Sequence, residues 1–98
     1  MLETAQITLS QARQIAAAEI ERRIKNSPCV SQYSDFSPVD LKEENERFWT
    51  FVSGSEQWYE DGGTPAAVYA SVDKADGHIW SREEKEQYYL EQTKPHAA

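Results

Sequence analysis

"AAVYASVDKADGHIW", residues 66–80, is the stretch that decides the fold. Small and β-branched residues run from Ala66 to Asp73, a polar tetrapeptide follows, and His78, Ile79 and Trp80 resume an apolar pattern. The pattern predicts two strands flanking "KADG", with Gly77 at the positive φ that a tight hairpin with a bulge demands. Upstream, "VDLKEENERFWTFVSG" (39–54) predicts a second hairpin, with strands near 39–43 and 47–53 and a polar turn about Glu44 and Asn45. Phe48, Thr50 and Val52 alternate with Trp49 and Phe51, so apolar groups fall on both faces and the strand belongs inside a sheet. The intervening "SGSEQWYEDGG" (53–63) predicts an acidic loop with a helical turn at Ser55 to Tyr59, closed by Gly62 and Gly63.

Helices are expected on either side. In "ITLSQARQIAAAEIERRIKN" (7–26), Thr8 and Gln11 form a capping-box pattern and Ile7 is placed as a staple. Leu9, Ala12, Ala16, Ile20 and Ile24 make one apolar stripe, with Arg13 reaching outward from its edge. Asn26, Ser27 and Pro28 end this helix, and Val30 to Tyr33 reads as a short extended piece. Ser81 and Glu84 repeat the capping box at the start of "SREEKEQYYLEQ" (81–92), a helix that Pro95 bars from continuing. The expected architecture is therefore α+β: an N-terminal helix, a four-stranded antiparallel meander and a C-terminal helix packed on the sheet. It forms a single domain over 1–98, with an ordered core at about 8–92 and loose ends.

Charge narrows the partners. Ten basic residues against seventeen acidic ones give a formal net charge of -7. That balance argues against phosphate backbones and anionic membranes and favours a protein partner with a basic surface. Cys29 is the single cysteine, which leaves no intramolecular disulfide and no cysteine-based zinc site and suits the cytoplasm. No secretory signal pattern or membrane-length apolar run is evident.

Little in the sequence suggests catalysis. His78 and His96 are the only histidines, and no pattern places either beside Cys29 or a serine as a general base. The acidic groups Glu43, Glu44 and Glu46, Glu60 and Asp61, and Glu83, Glu84 and Glu86 read as solvated faces. "DKADG" lacks the longer ligand series of a calcium loop, and "DGG" lacks the lysine of a phosphate loop. The expectation is no catalytic residue, no metal and no cofactor.

Aromatic residues supply the candidate site. The strand pattern puts Phe48, Val52, Val68, Ala70, Val72 and Ile79 on one face and Trp49, Phe51, Tyr69 and Trp80 on the other. If both helices cover the aliphatic face, the aromatic face is exposed together with the loop residues Trp58, Tyr59, Glu60 and Asp61, and these eight form a partner-binding surface. If the second helix covers the aromatic rings, they are core. Such a face could also close a homodimer.

The strings "RFWTFVSG", "GGTP", "VDKADGHI" and "EEKEQYYLEQ", in that order, resemble small bacterial immunity proteins of polymorphic toxin systems, above all the YrhB-like immunity family. Immunity proteins with an NTF2-like fold are the second resemblance. It spans about residues 8–92 and attaches to Trp49 and Phe51 in the strand, Gly62, Gly63 and Pro65 in the loop, and Asp73, Asp76 and Gly77 in the hairpin. The segment between Pro65 and Val72 is longer than the YrhB-like pattern. The resemblance implies a cytoplasmic, non-catalytic protein that binds and neutralises a cognate toxin domain.

Overall fold

A computed structural model of the chain describes residues 6–64 and 66–93; Pro65, Pro95 and His96 lie outside them. Four helices and three strands follow in the order α1 (Leu9–Lys25), α2 (Pro28–Ser31), β1 (Asp40–Glu44), β2 (Phe48–Gly54), α3 (Glu56–Glu60), β3 (Ala67–Asp73) and α4 (Arg82–Thr93). The strands make one antiparallel sheet in the order β1-β2-β3, with β2 in the centre, where its two apolar faces require it to be.

α1 begins at the expected capping box: Gln11 N donates to Thr8 Oγ1 and Thr8 N to Gln11 Oε1, which satisfies two backbone donors at the helix start. Its buried stripe is Ala12, Ala16 and Ile20, and two alanines let the helix lie close to the strands. Arg13 does leave the edge of this stripe, donating to the Val39 carbonyl and lying 5.5 Å from the centre of the Phe51 ring. The segment expected to be extended after Pro28 is instead the single helical turn α2, because proline at the first helical position is pre-set for a turn and needs no amide partner.

The register fixes which side chains share a face. Trp49 pairs with Val72, Phe51 with Ala70 and Ser53 with Val68, which puts them on one face, where Trp49, Phe51, Val68, Ala70 and Val72 pack with the buried stripe of α1. Phe48 pairs with Asp73, Thr50 with Ser71 and Val52 with Tyr69 on the opposite face. The expected grouping is therefore corrected: Trp49 and Phe51 join Ala70 and Val72, whereas Phe48 and Val52 join Tyr69. Both faces of β2 are apolar, so its own alternation could not set its phase against β3.

The fourth strand is also corrected. Ile79 makes a single bridge to Val72, and Trp80 N donates to the Ser71 carbonyl. Pairing stops there because Ser81, the next residue, already caps α4: Glu84 N donates to Ser81 Oγ and Ser81 N to Glu84 Oε1. Nor does α4 lie across the sheet. It is anchored where β2 begins and β3 ends, through a second core of Phe48, Trp80 and Tyr88 with the Tyr88 ring edge-on to Phe48 at 5.5 Å. Beyond that core Thr50 and Ser71 are still buried, and the face opens at the half-buried Val52 and Tyr69.

Candidate functional site: an open face with two charged ends

The eight residues expected to form one surface separate into three groups. Trp49, Phe51 and Trp80 are core, at 7%, 0% and 5% exposure. The first two lie under α1. Trp80 is wedged beside Phe48, and its indole Nε1 donates to Asp73 Oδ2 at 2.8 Å. These three rings have almost no surface to offer a partner, since the two cores need them.

Trp58 belongs to a small satellite cluster. Its ring stacks on Tyr33 at 6.3 Å and tilts against Phe36 at 6.2 Å. A Cβ on Gly63 would stand 2.3 Å from that ring, so only glycine allows the loop to close over it. Ser55 caps α3 by accepting from Trp58 N, and Asp35 accepts from Ser55 Oγ and from the amides of Glu56 and Gln57. The Asp35 carboxyl sits below the ordinary range, first through the Ser55 hydroxyl; burial opposes this, and the amides of Gln57 and Glu56 add to the lowering. Tyr33 Oη donates to Asp61 Oδ2 at 2.8 Å, tying the end of the loop to the segment after α2.

The third group remains at the surface. Tyr59 is 69% exposed, Glu60 and Asp61 are exposed, and Tyr69 is half-buried. Tyr59 and Tyr69 line one groove of about 620 Å3 at the α3 end of the open face, and its ionisable residues other than tyrosine are Asp35 and Glu56. Tyr69 also lines a second groove, of about 350 Å3, between the sheet and α4. Lys42, Lys85, Arg82, Tyr89 and the acids Glu43 and Glu86 border that one, and its floor is Thr50, whose Oγ1 lies 2.7 Å from Ser71 Oγ. Arg82 is paired with Glu86, and Tyr89 Oη donates to Glu43 Oε2. Lys42 and Lys85 make no ion pair among the described residues.

The open face thus has an acidic, tyrosine-lined end and a lysine-bearing end, joined at Tyr69. Asp35, Glu56, Lys42, Lys85 and Tyr89 were not singled out from the sequence. Asp35 stands twenty residues from Ser55 with no local pattern linking them. The Tyr88–Tyr89 doublet carried a signal: neighbours on a helix point about 100° apart, so one ring can be buried while the other lies at the rim.

One further cluster lies at the turn between β3 and α4. Asp73, Asp76 and His78 each bring a potential ligand atom within 4.8 Å of the others. Their hydrogen bonds already account for them: Asp73 Oδ1 accepts from the amides of Ala75 and Asp76, Asp73 Oδ2 from Trp80, and the His78 ring spans Asp76 Oδ1 at 2.7 Å and Glu84 Oε2 at 3.0 Å. The cluster closes a turn and clasps the start of α4. Among the described residues no helix is long and apolar enough to cross a membrane. No protein-family model, curated protein or solved structure matches this chain.

Proposed function

We propose that this chain is a non-catalytic, cytoplasmic protein-binding module of the immunity type, which docks a basic segment of a toxin domain at the acidic end of its open sheet face. The observation that carries this reading is Tyr59, 69% exposed beside a groove that shares Tyr69 and whose only charged lining residues, Asp35 and Glu56, are acidic. Tyrosine offers a large contact area at small entropic cost, and like-signed carboxylates select a cationic partner. The overall charge of -7 speeds the approach of such a partner. A role without chemistry is supported by His78, whose two ring nitrogens are engaged by carboxylates in a structural clasp. The resemblance to immunity proteins rests on strings whose described residues serve the scaffold here. Trp49 and Phe51 are core, Gly63 makes way for Trp58, and Asp73 and Gly77 form the turn. The docking residues are thus outside those strings, where variation among partners would fall.

A peptide of alternating lysine and leucine, (Lys-Leu)4, is a suitable probe for calorimetric titration against the full chain. Binding should weaken by roughly tenfold or more in Tyr59→Ala and in Glu56→Lys, the range expected for an anchor at an interface. Equal binding of (Glu-Leu)4, or unchanged affinity in both variants, would overturn the reading.

A further inference from the structure

We propose that a second copy of this chain closes the open face, in a two-fold dimer that sets the acidic end of each copy over the lysine-bearing end of the other. The inference rests on the groove being a docking surface and adds its regulation, since the dimer masks that groove until a basic partner displaces it.

The charge pattern of the face carries the argument. A two-fold interface is self-complementary: whatever residue i of one copy meets at j, residue j of the first meets at i of the second. A face of one sign repels its own copy. This face has Asp35 and Glu56 at one end; at the other, Lys42 and Lys85 stand without an ion pair among the described residues beside the Arg82–Glu86 pair and Glu43, three cations against two carboxylates, with Tyr69 common to both grooves. A two-fold axis through the Tyr69 region therefore brings opposite charges together twice. The ends also carry rings able to exclude water from those contacts, Tyr59 on one side and Tyr89, 42% exposed, on the other. Each monomer carries -7, but at physiological salt the screening length is about 8 Å. Charges facing one another across the interface act at full strength, while the net repulsion between distant parts of the two copies is largely screened.

Sedimentation equilibrium on the full chain tests the dimer, at concentrations up to about 100 μM, where a micromolar Kd leaves mostly dimer. Wild type should be dimeric. Glu56→Lys and Lys85→Glu should each weaken association by roughly tenfold or more, because each places like charges opposite one another twice. An equimolar mixture of the two variants should dimerise, since every contact then pairs lysine with glutamate, and the double variant should dimerise alone for the same reason. A monomeric wild type, single variants that associate like wild type, or a mixture that remains monomeric would each overturn the proposal. Restoration by mixing also shows that both variants are folded. The (Lys-Leu)4 titration is a separate readout: a dimer that the peptide neither binds nor dissociates removes the basic-partner reading and the masking but not the dimer, and a monomer that binds the peptide removes this inference alone.

Discussion

A side chain on Gly77 would meet two obstacles. Its φ is +79°, in the left-handed region that β-branched residues avoid, and its Cβ would stand 3.0 Å from Ile15 Cδ1 and 3.4 Å from Ile7 Cδ1. The isoleucine tips can yield, whereas the backbone cannot change φ without losing the bond from Gly77 N to the Asp73 carbonyl. Gly77→Val should therefore destabilise the protein by about 1–3 kcal/mol, read as a lower denaturant midpoint with an unchanged slope. An unchanged midpoint would mean that the turn has another conformation. This glycine was legible in the sequence because a glycine between two apolar runs has one common use. The covering of Gly77 by α1 was not, since Ile7 and Ile15 are more than sixty positions away and nothing local ties them to the turn.

At the scale of elements, α4 is held by Tyr88, by the Tyr89 bond to Glu43 and by the His78 clasp. Burial alone would lower the His78 pKa, but its hydrogen bonds to Asp76 and Glu84 outweigh that and raise it above 6.5. The same clasp helps to lower both acids. For Asp76 the largest cause is the bond from the His78 amide, and for Glu84 it is the bond from the Ser81 amide. A raised histidine pKa contributes stability that is complete below its unfolded value and lost as pH rises through the folded value; the lowered acids contribute stability lost as pH falls through theirs. The clasp is complete between about pH 4.5 and 6.5. Above that window the neutral ring has one N–H and can donate to only one carboxylate. Asp73, 4.0 Å from the ring, also favours the cation, while Arg47, lying over the neighbouring Trp80 ring, opposes it. Amide exchange in α4 should therefore quicken between pH 6 and pH 8 beyond the intrinsic chemical increase, and in His78→Gln this excess should vanish. An equal excess in both proteins would remove the clasp as its cause. Both long helices were legible because capping boxes are local, Thr8 with Gln11 and Ser81 with Glu84. The phase between β2 and β3 was not, because the connection from Ser55 to Ala66 contains a helix and imposes no hairpin register, and a one-residue slip exchanges Phe48 and Val52 for Trp49 and Phe51 without changing how apolar either face is.

Over the whole molecule, stability and recognition are assigned to different sides of one sheet. α1 seals Trp49 and Phe51 against Ala70 and Val72, and cations lie over the two rings: Arg13 over Phe51, and Lys74, bound to Glu44, 5.1 Å from the centre of Trp49. On the other side the hydroxyls of Thr50 and Ser71 satisfy each other, a floor that is buried but polar, flanked by the half-buried Tyr69 and the exposed Tyr89. An aromatic count alone could not separate these roles, since eleven per cent of the chain is aromatic and the rings fall on both sides. The separation makes opposite predictions for two kinds of ring. Trp49→Ala removes a 7% exposed side chain from the main core and should cost about 3–5 kcal/mol, a large share of the about 5–15 kcal/mol that holds an ordinary domain folded. Tyr59→Ala removes a ring that is 69% exposed and should change the unfolding free energy by less than about 0.5 kcal/mol while weakening the binding of (Lys-Leu)4. Denaturant unfolding and peptide titration on both variants compare the two effects directly. If Tyr59→Ala unfolds early, its ring supports α3 and the acidic groove loses its anchor. If Trp49→Ala keeps the wild-type midpoint, α1 does not seal that face, and the division of the sheet into a structural side and a docking side fails with it.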